Sequence, residues 1–203
     1  GPGAGKSTAC MEITAALKKE GYNAEYVQEY AKELVYEKDM EMLDGSPEHQ
    51  YEILKEQTRR MDRLYDQVDF IVTDSPVMLN TIYNKQLTPE YESLVNELQG
   101  EYINYSFFME RDVSNFEEEG RIHNLTESIE KDNEIKDMLQ RNEIRYKTYN
   151  HENVNEIVND AIDFYEKINV GKSNEKEVVR DAENIQLTGA EAARFRMAMK
   201  GQE

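Results

Sequence analysis

The first eight residues of the chain restrict its fold more than any other segment. Gly1-Pro2-Gly3-Ala4-Gly5-Lys6-Ser7-Thr8 matches the Walker A pattern at seven of eight positions, and the leading glycine of that pattern would lie one residue before Gly1. Glycines at this spacing let backbone N–H groups wrap around phosphate oxygens, and a helix that follows directs its positive end at them. We therefore expect a phosphate-binding loop that opens a helix.

Each polar side chain of this loop has its own role in the pattern. Lys6 is expected to reach the β and γ oxygens of a triphosphate, and Ser7 to ligate Mg²⁺. The remaining cradle residues are Gly3, Ala4, Gly5 and Thr8. A glycine-rich tag or turn is the alternative, and it is disfavoured because Gly-Lys-Ser-Thr opens an amphipathic helix. ATP and Mg²⁺ are the expected cofactors.

Strands alternate with helices along the chain, which predicts an α/β fold with a mainly parallel sheet of about five strands. The predicted helices are 6–20, 30–43, 48–67, 90–98, 124–142 and 154–168. The predicted strands are 23–28, 70–72, 103–109 and 144–149. Because a phosphate-binding loop normally follows a central strand, we expect one further strand in a segment before Gly1, missing from the chain as given.

The chain is expected to form one folded domain and a tail. At 203 residues it is long enough for a single domain with a substantial core. We place the nucleotide-binding domain at 1–169 and a polar C-terminal tail at 170–203. Thr188 and Glu191 fit a capping box, so the tail is expected to end in a helix. Self-association or binding of a protein partner is the expected use of the tail.

Charge and cysteine content exclude several function classes. The 24 basic and 42 acidic residues give a net charge of −18, which repels polyanions and makes a long nucleic acid an unlikely partner. Cys10 is the single cysteine and is expected to be a small buried hydrophobe. We find no signal peptide, no membrane span and no paired spacing for a zinc site, so a cytoplasmic location is expected.

Two carboxylates follow predicted strands. Asp74 ends the strand at 70–72, where it is expected to hold Mg²⁺, and capping of the strand before a proline turn is the alternative. Glu29 ends the strand at 23–28, at the edge of a parallel sheet where ligands bind. Its candidate role is to orient or deprotonate an attacking hydroxyl, and interaction with a helix dipole is the alternative.

A polar stretch from Glu110 to Asn124 is predicted to form a lid. Arginines in or around it are candidates to stabilise charge on a transferring phosphoryl group, and Arg121 is the preferred one among Arg111, Arg121, Arg141 and Arg145. Surface salt bridges are the alternative for each of them. Arg59, Arg60 and Arg63 either contact a substrate phosphate or form a solvated helix face.

Four segments together resemble a known P-loop family. They are the loop at 1–8, Glu29-Tyr30-Ala31-Lys32, Asp74-Ser75-Pro76 and Gly120-Arg121. They look like the AAA-labelled domain of the ribosylnicotinamide-kinase type, found in bacterial NAD-biosynthesis regulators and in phage nucleotide-kinase-like proteins. The resemblance covers roughly 1–168.

This resemblance implies a P-loop kinase-like three-layer fold with a five-stranded parallel core. It also implies an acidic residue that acts on the acceptor and lid arginines over the phosphates; by position these roles fall on Glu29, Asp74 and Arg121. Lys32 departs from the arginine that the family often has there, so a bidentate clamp on the substrate is not expected from this residue.

Three functions are compatible with these residues. The first is ATP-dependent phosphoryl transfer to a small nucleoside, nucleotide or ribosyl-nicotinamide-like acceptor, with a polynucleotide 5′ end as a variant that the net charge disfavours. The second is a P-loop ATPase or nucleotide-dependent switch that acts through a protein partner. The third is a module that binds nucleotide without turnover. Lys6, Ser7 and Asp74 favour the first.

Overall fold

A computed structural model gives the structure of residues 4–110, 125–150 and 153–184. The helices are α1 (Lys6–Lys19), α2 (Tyr30–Glu37), α3 (Pro47–Asp62), α4 (Asn80–Tyr83), α5 (Pro89–Gly100), α6 (Leu125–Arg141) and α7 (Val154–Asn184). The strands are β1 (Ala24–Val27), β2 (Phe70–Thr73), β3 (Ser106–Met109) and β4 (Tyr146–Tyr149). Strands and helices alternate as expected, and the fold is α/β.

The strands form two parallel pairs. β1 pairs with β2 so that Val27 lies beside Thr73, and β3 pairs with β4 so that Met109 lies beside Tyr149. The single sheet of about five strands is not observed, because no ladder joins the two pairs within the described residues. Joining them would take a further strand, and the strand that we expected before Gly1 is not among these residues.

Short polar side chains start two of the helices. The Ser46 side chain accepts from the backbone N–H of His49 at 3.4 Å, and proline occupies the first turn of α3. Thr88 accepts from the N–H of Tyr91 at 3.3 Å, and α5 also begins with a proline. Both starts follow the usual preference for a hydroxyl cap followed by proline, whose missing N–H costs nothing there.

Three helix ends differ from the sequence-based expectation. α2 ends at Glu37 rather than near 43, because Lys38 takes a left-handed backbone (φ 62°) and the N–H groups of Lys38 and Asp39 close on the last turn. α3 ends at Asp62 rather than near 67. α7 continues to Asn184 through Gly171, where the sequence predicted an end near 168. One glycine costs a helix only about 1 kcal/mol, so it does not force an end.

A core of apolar side chains lies between the helices and the strands. Its buried members are Val27, Leu54, Met61, Val77, Met78, Leu79, Val95, Phe108, Ile135 and Met138. They come from β1, α3, the turn of 3-10 helix at Val77–Leu79, α5, β3 and α6. This shared core fixes where the carboxyl ends of β1 and β2 lie, and therefore where Glu29 and Asp74 lie.

The chain divides into two compact units, Gly1–Val158 and Asn159–Glu203. The first contains both strand pairs and all the candidate site residues, and the second contains the continuation of α7. The domain boundary that we expected at 169 remains a prediction, as does the helix expected at 188–200, which lies outside the described residues. In the described part of the chain, each helix is too short or too polar to cross a membrane.

Candidate functional site

The chain enters α1 through a left-handed turn at Gly5. Its φ of +75° is a backbone conformation that residues with a Cβ rarely adopt, which explains glycine at this position. α1 then begins at Lys6, and its first turn contains no acidic residue. The positive end of the helix dipole is therefore not compensated from within the helix, which favours an anion beside it. Residues 1–3 of the predicted cradle lie outside the described residues.

Asp74 lies one residue beyond β2 and is only 2 % exposed. Its Oδ2 accepts hydrogen bonds from the Ser7 hydroxyl and from the Tyr26 hydroxyl, the latter at 3.0 Å. Its Oδ1 accepts from the backbone N–H of Glu29 at 3.0 Å. Both carboxylate oxygens are therefore held, and the three donors are uncharged.

Glu29 is adjacent to Asp74 because β1 and β2 are parallel neighbours, whose carboxyl ends share one edge. Glu29 is the N-cap residue of α2 and its side chain makes no capping hydrogen bond, so interaction with the helix dipole stays the alternative role. Burial raises the pKa of Glu29, the nearby charge of Lys6 opposes that shift, and the charge of Asp74 adds to it. A carboxylate with a raised pKa is better matched to accepting a proton near neutral pH.

Two further residues at this edge were not predicted from the sequence. Tyr26 reaches Asp74 from within β1, and burial, with the charge of Asp74, raises the pKa of this tyrosine, so its hydroxyl stays a donor at neutral pH. Gln57, on α3 and 1 % exposed, accepts from the N–H of Tyr30 at 2.9 Å, and its Nε2 has no hydrogen-bond partner among the described residues. A tyrosine in a strand and a glutamine in a helix have no signature that distinguishes these roles.

Cys10 lies on α1, three residues beyond Ser7, and is 8 % exposed. Burial and the charge of Asp74 raise the pKa of its thiol to about 12. A thiol in these conditions is a poor nucleophile. The expectation of a buried hydrophobe is confirmed.

The arginines of α3 bind protein carboxylates. Arg60 makes a two-pronged ion pair with Glu33 of α2, at 2.6 and 2.7 Å, and its Nε donates to Glu56 at 2.8 Å. Its guanidinium also lies 4.7 Å from the centre of the Tyr30 ring. Arg59 binds Glu56, and Arg59 and Arg60 together hold the pKa of Glu56 down to about 2. Contact with a substrate phosphate is therefore not supported for Arg59 or Arg60.

The lid residues are not brought to the site by anything described. Arg111 and Arg121, with the predicted lid, lie outside the described residues. Arg145 is exposed beside β4. Arg141 borders a shallow cavity of about 760 Å³ whose other lining residues are Thr81, Ile82, Glu134, Asp137 and Gln140. Lys6, Ser7, Glu29 and Asp74 do not line that cavity, and the role of Arg121 remains a prediction.

The side-chain oxygens at the site suit Mg²⁺ with additional water and phosphate ligands better than they suit a metal ion bound by protein ligands alone. Ser7 and Asp74 offer a hydroxyl and a carboxylate oxygen in mutual contact, and both are hard oxygen ligands. Among the described residues no group of three or more His, Cys, Asp or Glu side chains is placed to hold a metal. Mg²⁺ commonly takes one or two protein oxygens and completes its shell with water and phosphate oxygens, so these residues fit it.

A comparison with protein families decides what kind of domain this is. The family model described as AAA domain matches residues 1–156. The chain belongs to that family. Its first unit is thus an α/β domain of the P-loop NTPase type, in which ATP with Mg²⁺ is the usual ligand. No curated protein and no solved structure matches the chain.

Proposed function

We propose that this AAA domain transfers the γ-phosphoryl group of ATP to a hydroxyl of a small nucleoside, nucleotide or ribosyl-nicotinamide-like acceptor. The supporting observation is that one buried carboxylate, Asp74, contacts both the Ser7 hydroxyl of the phosphate-binding loop and the backbone of Glu29. A nucleotide-binding group and a proton-accepting group are therefore neighbours. A chain that only binds nucleotide has no use for the second.

In this mechanism the start of α1 and Lys6 hold the β- and γ-phosphates, and Lys6 stabilises the charge that builds up as the phosphoryl group moves. Ser7 and Asp74 would hold Mg²⁺, which when bound neutralises charge on the phosphate oxygens. Glu29 accepts the proton of the acceptor hydroxyl. The oxygen of that hydroxyl bonds to the γ-phosphorus while the bond between the γ-phosphorus and the β–γ bridging oxygen breaks. Most of the catalysis is positioning and charge stabilisation.

Gln57 supports an acceptor near Glu29. Its Oε1 is committed to the N–H of Tyr30, which fixes the orientation of the amide and leaves the Nε2 group without a partner in the described residues. Buried donors are seldom left unpaired. We assign to Gln57 a place at the edge of the acceptor site.

The test incubates full-length protein with γ-labelled ATP, Mg²⁺ and a panel of acceptors. The panel contains nucleosides, mononucleotides, nicotinamide riboside and a 5′-hydroxyl oligonucleotide. Lys6→Ala is the inactive variant, and Lys19→Ala, at the other end of the same helix, is its matched control. We expect label on one small acceptor, reduced about 100-fold or more by Lys6→Ala and unchanged by Lys19→Ala.

Two outcomes would overturn this proposal. Lys6-dependent release of free phosphate with every acceptor unlabelled would assign the domain to the hydrolysing members of its family, as an ATPase or switch. Unchanged ATP after long incubation, in spite of ATP binding, would leave a module that binds nucleotide without turnover.

A further inference from the structure

The Tyr26 hydroxyl and the Ser7 hydroxyl share one oxygen atom, Oδ2 of Asp74. The other oxygen, Oδ1, is occupied by the backbone N–H of Glu29. Two of the three donors therefore come from β1 and the residues just after it, and only Ser7 comes from α1. The orientation of Asp74 is set largely by the neighbouring strand.

The direction of the Ser7 hydrogen bond matters for a metal. A serine hydroxyl has one proton and two lone pairs. When the proton is donated to Asp74, the lone pairs point away from the carboxylate and are available to a cation. Any rotation of Asp74 would turn the Ser7 hydroxyl with it, so both oxygen ligands depend on how firmly Asp74 is held.

We propose that Tyr26 is a positioning residue of the metal site, whose hydroxyl holds Asp74 and, through Asp74, the Ser7 hydroxyl in the geometry that Mg²⁺ requires. This inference rests on the proposed role of Ser7 and Asp74 at the nucleotide. Groups that hydrogen-bond to metal ligands commonly change metal affinity 10- to 100-fold when they are removed. In this proposal Tyr26 is not itself a ligand of the metal or of the nucleotide, and it acts through Asp74.

Geometry along β1 allows tyrosine to do this. Tyr26 pairs with Val72 in the parallel ladder, two positions before Asp74 along β2. The ring spans the distance from the middle of one strand to the carboxylate that follows the other. Phenylalanine at this position would keep the ring and remove the hydroxyl that donates to Asp74, which makes Tyr26→Phe a suitable variant.

Tyr91→Phe is the matched control. The Tyr91 hydroxyl is also partly buried and donates one hydrogen bond at 3.0 Å, to the backbone oxygen of Gln50. It lies on α5, and its partner lies on α3. Both variants lose one hydroxyl and one hydrogen bond, so any loss of stability that they share is not evidence for a metal role.

The experiment measures binding of a fluorescent ATP analogue to full-length protein as Mg²⁺ is titrated, with no acceptor present. For Tyr26→Phe we expect the Mg²⁺ concentration at half-maximal binding to rise about tenfold or more, while affinity for the analogue in excess chelator is unchanged. For Tyr91→Phe we expect the wild-type midpoint. A thermal scan of each variant reports whether the fold is kept.

An unchanged midpoint in Tyr26→Phe would overturn the inference, and so would an equal shift in both variants. Because no acceptor is present, the result is independent of whether transfer occurs. A shifted midpoint, combined with no labelled acceptor in the phosphoryl-transfer test, would support Tyr26 as a positioning residue and contradict the proposed kinase activity. Wild-type protein that binds the analogue equally with and without Mg²⁺ would remove both.

Discussion

Two carboxylate clusters in the first unit satisfy their charges in opposite ways. Asp74 is almost fully buried, yet the groups that hydrogen-bond to it are two hydroxyls and one backbone N–H. Glu33 and Glu56 are more exposed, and each is paired with arginine. Neutral donors fix the position of a carboxylate without neutralising it, whereas arginine does both.

This difference distinguishes a candidate ligand site from an ion pair with a structural role. A buried charge that only neutral groups contact is costly, and it is stabilised when a cation binds. The charges of the two glutamates are already compensated by arginine, and the ion pair between Arg60 and Glu33 joins α2 to α3. The following predictions test this separation, beginning with the largest effect.

Replacing Asp74 with asparagine should remove function and leave the fold. The hydroxyls of Ser7 and Tyr26 can accept as well as donate, so an amide can be accommodated among them. We expect phosphoryl transfer and Mg²⁺-dependent nucleotide binding to fall about 100-fold or more. Glu33→Gln is the matched carboxylate-to-amide control in the Arg60 cluster, and it should lower the melting temperature and keep transfer. The reverse pattern would show that the two clusters have been assigned wrongly.

Replacing Glu29 with glutamine should lower transfer about 100-fold or more, because the proton acceptor is lost. The stability of the variant relative to wild type should instead increase as the pH rises. Burial raises the folded-state pKa of Glu29, so its favourable contribution is complete below the unfolded pKa, about 4.3, and is lost as pH rises through the folded pKa.

The difference in stability between Glu29→Gln and wild type should therefore shift in favour of the variant as the pH rises from about 4.5 to 7.5. Thermal unfolding at both pH values measures this, with Glu25→Gln as the control for an exposed glutamate of β1. A variant that loses stability relative to wild type at the higher pH would contradict the burial argument.

Replacing Arg60 with methionine should lower the free energy of unfolding by about 1.5–3 kcal/mol, the usual value for hydrogen bonds to charged groups. The side chain is only 16 % exposed and it makes the pair between helices. Arg59→Met should have a much smaller effect on stability, because the Arg59 side chain is 62 % exposed. Urea unfolding compares the two. Loss of transfer in correctly folded Arg60→Met would place Arg60 in the site after all.

The smallest expected effect is at Cys10. Because its thiol is buried and the thiol pKa is raised to about 12, alkylation by iodoacetamide near pH 8 should be about 100-fold slower in folded than in urea-unfolded protein. Mass spectrometry follows the modification. Rapid labelling of folded protein would show that the surroundings of Asp74 are open to solvent.

The sequence predicted the meeting of Ser7, Glu29 and Asp74 for a simple reason. The loop motif fixes the start of α1, and the carboxyl ends of adjacent parallel strands must share an edge. Each of these inferences depends on backbone pattern alone. They therefore survived errors of several residues in where helices end.

The rest of the site depends on how side chains pack. The hydrogen bond of Tyr26 requires the register of β1 against β2, and that of Gln57 requires the placement of α3 beside α2. The same contact between helices determines that Arg60 binds Glu33 rather than a ligand. α2 ends at a lysine with a left-handed backbone, and α7 continues through a glycine. Hydrophobic periodicity shows neither feature.

Calorimetric titration of ATP into full-length protein tests most directly whether Asp74 and its neighbours form a nucleotide and metal site. It is carried out with Mg²⁺ and again with excess chelator, on wild type, Lys6→Ala and Lys19→Ala. We expect saturable binding that weakens about tenfold or more without Mg²⁺ or without the Lys6 amine, and that Lys19→Ala does not alter. ATP binding that is absent, or that is equally strong under all these conditions, would contradict a site built on Lys6, Ser7 and Asp74.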